Sequence, residues 1–165
     1  IKPTRRRKAV RLNSGVRQRM KPLSHSWKQH GSISLWRYTE NERNFPGWHL
    51  NADPAGCQSL LALFEALAAD GPSAFRTVDL TRPTASILAV PNNKGGTAKF
   101  KSPKKWRISF SNEPSHWSFP QTLEPAELCY GQDWLAPLCE GVIGIPEGHG
   151  DYSIGGSDLR LWFWW

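Results

Sequence analysis

The chain has 165 residues, a formal net charge of +7 and 39% hydrophobic residues, among them nine Trp, seven Phe and three Tyr. That length suits one domain with a sizeable core. Its three cysteines, Cys57, Cys129 and Cys139, are odd in number and lack a CxxC pair, which argues against a disulfide framework and for a reducing, cytoplasmic setting. The richest apolar run, residues 60–69, is broken by Glu65 and too short to cross a bilayer, and no signal peptide is evident, so no membrane partner is expected.

The positive charge is unevenly placed. Residues 1–31 carry ten Lys or Arg and no Asp or Glu, whereas residues 32–165 carry eleven against fourteen, a net −3. This divides the chain into a basic leader, 1–31, and a single α+β domain, 32–165. Met20 is the only methionine and reads as a natural start, with residues 1–19 upstream of it. Without those nineteen, thirteen basic residues face fourteen acidic ones, and the electrostatic argument for a nucleic-acid partner holds only if the leader is native.

In chain order, residues 32–38 alternate as a strand, with Ile33 and Leu35 on one face and Trp36 and Tyr38 on the other. Residues 45–50 are punctuated by Pro46-Gly47 and read as an edge segment or structured loop. The firm helix follows at about 54–69: Asp53 is its N-cap, Pro54 its first residue, and Gly71-Pro72 its stop. Residues 74–80 and 85–90 read as strands, 91–104 as a long hairpin loop, 105–110 as an alternating strand and 116–119 as a short return. A second helical region, about 125–142, is broken by Gly131 and Pro137, with Asp133 capping its second piece. A glycine-rich loop, 144–157, leads to the final strand. There Leu159, Leu161, Phe163 and Trp165 share one face and Arg160, Trp162 and Trp164 the other, so both faces need cover and the strand belongs inside a sheet. Short strands joined by turns predict an α+β fold, a mostly antiparallel twisted sheet of about five to seven strands with the last strand central.

Three constellations carry chemical possibilities. Glu147, His149 and Asp151 recur at a spacing of two and fall on one side of an extended segment, where they could hold a cation or let Asp151 orient His149 as a base. Their bland reading is a solvated turn. Cys57, in the first turn of the firm helix with His49 eight residues earlier, and Cys139, followed by His149 and Asp151, are nominal nucleophiles for a Cys/His-dependent hydrolase. Free cysteine on an apolar helix stripe, however, usually packs as a small hydrophobe. Lys94, Lys99, Lys101, Lys104, Lys105 and Arg107, interleaved with Phe100 and Trp106, have the composition of a nucleic-acid-binding segment, and equally of a solvated hairpin guarded by lysines.

No motif specifies a reaction, and no cofactor or resident metal is expected. The favoured expectation is a small non-catalytic binding protein of immunity or antitoxin type that blocks a protein partner, with a nucleic-acid-binding module or a hydrolase as alternatives. Loops carry recognition on such scaffolds, so the interaction residues are expected to be Glu147, His149, Asp151 and Tyr152, with Trp48, His49 and Trp117 as aromatic neighbours.

Overall fold

The computed structural model describes residues 21–40, 42–91, 98–150, 152–156 and 159–165; the reading of 1–19 as upstream sequence lies outside these. The elements are α1 (Leu23–Ser26), β1 (Ile33–Tyr38), β2 (Trp48–Ala52), α2 (Pro54–Asp70), β3 (Phe75–Asp79), α3 (Ala85–Ala89), β4 (Phe100–Lys101), β5 (Lys105–Phe110), β6 (Trp117–Ser118), β7 (Ala126–Tyr130), a 3-10 turn (Gln132–Trp134), α4 (Leu135–Gly144), β8 (Tyr152–Ile154) and β9 (Leu161–Phe163). The α+β class holds, but the strands form two sheets instead of one: β4-β1-β2-β9-β8 and β3-β5-β7-β6. Each sheet has one parallel pair, β2 with β9 and β5 with β7, and every other pair is antiparallel.

Helix α2 starts and stops where its sequence says. Asp53 Oδ1 accepts from Gly56 N–H at 2.7 Å, Pro54 stands at the first position, and Gly71, at φ 89°, donates its N–H to Leu67 O. The other Asp53 oxygen accepts from Ser32 N–H at 3.0 Å, tying the approach to β1 to the helix start. The buried stripe Cys57, Leu60, Leu63, Phe64 and Leu67 enters a core shared with Ile33, Leu35 and Leu50 of the first sheet, Val78, Ile108 and Leu128 of the second, and Leu138 and Val142 of α4. Tyr130 of β7 donates its hydroxyl to Phe64 O at 2.7 Å, fastening the second sheet to α2. Trp48, Phe119 and Trp106 stack through this core at centroid spacings of 5.0 and 5.8 Å. Residues 22–31, read as part of the leader, also pack: Trp27 lies against the core, and both carboxylate oxygens of Asp70 accept the amides of Leu23 and Ser24 at the start of α1.

The first sheet is covered on both faces. Opposite the main core lies a second, aromatic one of Trp36, Tyr38, Trp164, Leu88 and Ala98, flanked by Phe45, Phe100 and Trp162. Strand β9 divides accordingly: Leu161 and Phe163 enter the main core, Trp162 and Trp164 the second. It lies inside the sheet, between β2 and β8, though the central position belongs to β2. The alternation does not extend to Leu159 and Trp165, which are exposed.

Three local expectations are corrected. Residues 85–90 form helix α3, not a strand: Thr84 Oγ1 accepts from Ile87 N–H, and five residues suffice to lay Leu88 on the second core. A short apolar run has no period of its own to decide between the two. Residues 45–50 are not an edge; β2 begins at Trp48, just after Pro46-Gly47, and is flanked on both sides. The 125–142 region opens with strand β7, whose burial alternates from Ala126 to Tyr130, and only then becomes α4. Pro137 sits in the first turn of α4, where its missing N–H costs nothing. Trp134 stands at the N-cap, without a side-chain cap from Asp133.

Candidate interaction surface at helix α4 and strand β8

Helix α4 buries Leu138, Gly141 and Val142, which leaves Glu140 and Ile143, three apart, on its outer side; Ile143 is 47% exposed. Beyond the helix the chain doubles back: Gly148 takes φ 74°, and His149 N–H returns to Gly144 O at 3.0 Å. That turn sets the His149 side chain over Gly144, where an added Cβ would meet its Cβ at 3.3 Å and its ring Nδ1 at 3.5 Å. Gly150 lies under the Trp165 ring so closely that a Cβ there would come within 1.9 Å of it. Trp165 itself is 46% exposed.

Between α4 and β8 these residues leave a cleft of about 190 Å³ lined by Glu140, Gly141, Gly144, His149, Gly150 and Tyr152. The Tyr152 hydroxyl faces Glu140 Oε2 at 3.3 Å and Pro137 O at 3.4 Å. Burial, and then the Glu140 carboxylate, push the phenol above its ordinary pKa, so Tyr152 stays a neutral donor. Glu147 Oε2 lies 3.5 Å from His149 Nδ1, both side chains being largely exposed. Among the described residues the result is a surface with two carboxylates, one imidazole, one phenol and two large exposed apolar side chains, and no Lys or Arg in the cleft lining.

Of the residues singled out from sequence, Glu147, His149 and Tyr152 come together here; Asp151 lies outside the described residues. Trp117 reaches the far part of the same segment, donating its indole N–H to Leu159 O at 2.7 Å and resting on Gly155. Trp48 and His49 do not come here. Trp48 is buried in the main-core stack, and His49 is fully enclosed on the other face of the first sheet. Glu140, Ile143 and Trp165 were not singled out; α4 running on to Gly144, past the expected end at 142, is what carries Ile143 onto the same outer helix face as Glu140.

The imidazole of His49 lies between Trp36 and Trp164 at centroid distances of 5.5 and 6.0 Å, with Tyr38 edge-on at 4.9 Å. Trp164 Nε1–H can only donate, so His49 Nδ1 accepts it, at 2.9 Å; Phe45 O can only accept, so Nε2–H donates to it, at 3.1 Å. Both ring nitrogens are therefore spent on holding one neutral tautomer, and burial lowers the pKa to about 3.

The cysteines show no nucleophile geometry among the described residues. Cys57 is buried, its thiol faces Ala52 O at 3.6 Å, and burial followed by the Asp53 charge raises its pKa to about 11. Cys139 packs against the main core, its pKa raised by burial and then by Glu65. No imidazole hydrogen-bonds either thiol among the described residues, and all three cysteines are free. No group of three or more potential metal-ligating side chains occurs among them either.

The basic segment is divided between the sheets. Lys94 lies outside the described residues; Lys99 and Lys101 run along β4 at the edge of the first sheet, while Lys105 and Arg107 belong to β5 in the second. Lys104 N–H donates to Glu124, Lys105 pairs with Asp79, and the Arg107 guanidinium lies 3.9 Å over the Phe75 ring. Among the described residues no helix is long and apolar enough to cross a membrane. The chain matches no protein-family model, no curated protein and no solved structure.

Proposed function

We propose that the protein is a non-catalytic binding protein that covers a basic surface on a protein partner, a blocking role of the immunity or antitoxin kind. The observation that carries this reading is the α4–β8 surface, where exposed Ile143 and Trp165 occur with the carboxylates Glu140 and Glu147 and, among the described residues, the cleft lining holds no Lys or Arg. Apolar anchors inside a charged rim are what protein interfaces are built from: the anchors supply affinity, and the charges steer encounter and select the partner's sign. The packing of Cys57, Cys139 and His49 supports the same reading, because it removes three of the nucleophile and base candidates from contact with a substrate.

The test is affinity capture from cells expressing the tagged chain, comparing wild type with Ile143→Ser and with the double variant Glu140→Lys, Glu147→Lys. The expected outcome is one stoichiometric protein partner, identified by mass spectrometry, whose binding drops at least about tenfold with the charge reversal and weakens as salt is raised. A partner retained equally by all three proteins places the interface elsewhere. Substrate turnover by the purified chain overturns the reading.

A further inference from the structure

Strand β3 lies at the edge of the second sheet, and its outward groups alternate. Leu80 N–H turns inward to Lys104 O on the β5 side, so Phe75, Thr77 and Asp79 direct their N–H and C=O away from β5. At Asp79 those two groups are already taken by the Gln29 side chain: its amide N–H₂ donates to Asp79 O, and its carbonyl accepts from Asp79 N–H, both at 2.8 Å. Gln29 thus occupies one rung of a β-ladder with a single side-chain amide. The next rungs, at Thr77 and Phe75, have no hydrogen-bond partner among the described residues, and they open onto a trough of about 420 Å³ between β3 and α1.

We propose that this open edge, Phe75 to Thr77, is a strand-addition site for an extended acidic segment of a partner protein. The two edge rungs offer four backbone hydrogen bonds in the pattern that Gln29 already satisfies one step along. On the outer face, Phe75 is 49% exposed and carries the Arg107 guanidinium on its ring, a landing place for an apolar or acidic side chain of the added strand. The other face is lined by His25, Arg76 and Asp70, with Lys21 beside it. Asp70 keeps its charge while accepting the amides of Leu23 and Ser24, but among the described residues Arg76 and Lys21, with Arg107 on the outer face, outnumber it and set the preferred charge of the occupant. A second copy of this chain fits less well: a two-fold centred on Thr77 sets Phe75 against the partner copy's Asp79 rung, which Gln29 blocks, and one centred on Arg76, which uses only the open rungs, sets Arg76 opposite its own copy, like charge against like charge. The site involves neither α4 nor β8, so it stands or falls apart from the interface proposed above.

The test uses the full chain and a blocked hexapeptide of alternating valine and glutamate, with the valine–lysine peptide and a backbone N-methylated valine–glutamate peptide as controls. Amide chemical shifts followed by NMR are expected to move first at Phe75 and Thr77, and the lysine and N-methylated peptides should bind at least about tenfold more weakly. Thr77→Pro removes only an outward-facing N–H, which edge strands tolerate; it should keep the folded spectrum and lose the peptide response. Shifts centred away from β3, or equal binding of the N-methylated peptide, overturn the proposal, and the peptide comparison decides it even if Thr77→Pro fails to fold. Concentration-dependent dimerisation abolished by Thr77→Pro would make the occupant a second copy and overturn the acidic partner.

Discussion

His49 concentrates the residue-scale chemistry of this protein. Its ring is enclosed by Trp36, Tyr38, Phe45 and Trp164, none of which becomes charged in the acid range, and neither ring nitrogen is free to take a proton without losing a hydrogen bond. Burial lowers its pKa from 6.5 to about 3, so the folded state favours the neutral ring. The stabilisation from this group is complete above about pH 6.5, and it is lost as pH falls from there toward about 3. With each unit worth about 1.4 kcal/mol, the loss by pH 4.5 is on the order of 2–3 kcal/mol. Urea unfolding at pH 7.5 and 4.5 is expected to show a drop of that size in the wild type, in excess of the drop in His49→Phe. Equal drops in the two proteins would mean that carboxylates elsewhere account for the acid sensitivity.

At the scale of elements, close approach between α4 and β9 decides which residues can stand at the crossing. A Cβ added at Gly141 would lie 2.5 Å from the Phe163 ring, and Phe163 is itself buried in the main core with no open side to move into. Gly141→Ala is therefore expected to destabilise the protein by about 1–3 kcal/mol, although alanine is the better helix former, because overpacking outweighs propensity. Gly156→Ala, whose added Cβ would have none of the described residues within 4 Å, is the matched control and should lie within about 0.5 kcal/mol of wild type. Thermal melts of the two variants check this, and a Gly141→Ala protein as stable as the control would mean that the helix is free to back away from the strand.

For the whole molecule, the decisive feature is that the last strand joins parts far apart in sequence. β9 pairs in parallel with β2 and antiparallel with β8, and the Trp164 amide extends the pairing to Leu50 O at 2.9 Å. Its alternate side chains fill two cores at once. Removing residues 159–165 uncovers Leu50 and Trp48 on one face and His49 and Trp36 on the other, and strands β2 and β8 lose the partner that joins them. The shortened chain is expected to lack a cooperative thermal transition and the dispersed amide spectrum of the full chain. A folded, cooperative product would show that the first sheet closes without β9.

Much of this was legible in the residues themselves. The caps and stripe of α2 are local signals, each set by hydrogen bonds and contacts within a few residues, and the alternation in β1, β5 and β9 states which side chains share a face whatever lies opposite. The same alternation implied two covered faces for β9, since Leu161 and Phe163 on one side and Trp162 and Trp164 on the other are all large apolar side chains. What the sequence could not specify were relations between distant segments. The run 85–90 became a helix because the second core offered Leu88 a place, and the basic segment 99–107 was split because β4 and β5 found partners in different sheets. His49 and His149 are the same residue type, yet one is sealed among tryptophans and the other reaches solvent. Burial is decided by what packs against a residue from far away in sequence, and only the tertiary structure contains that.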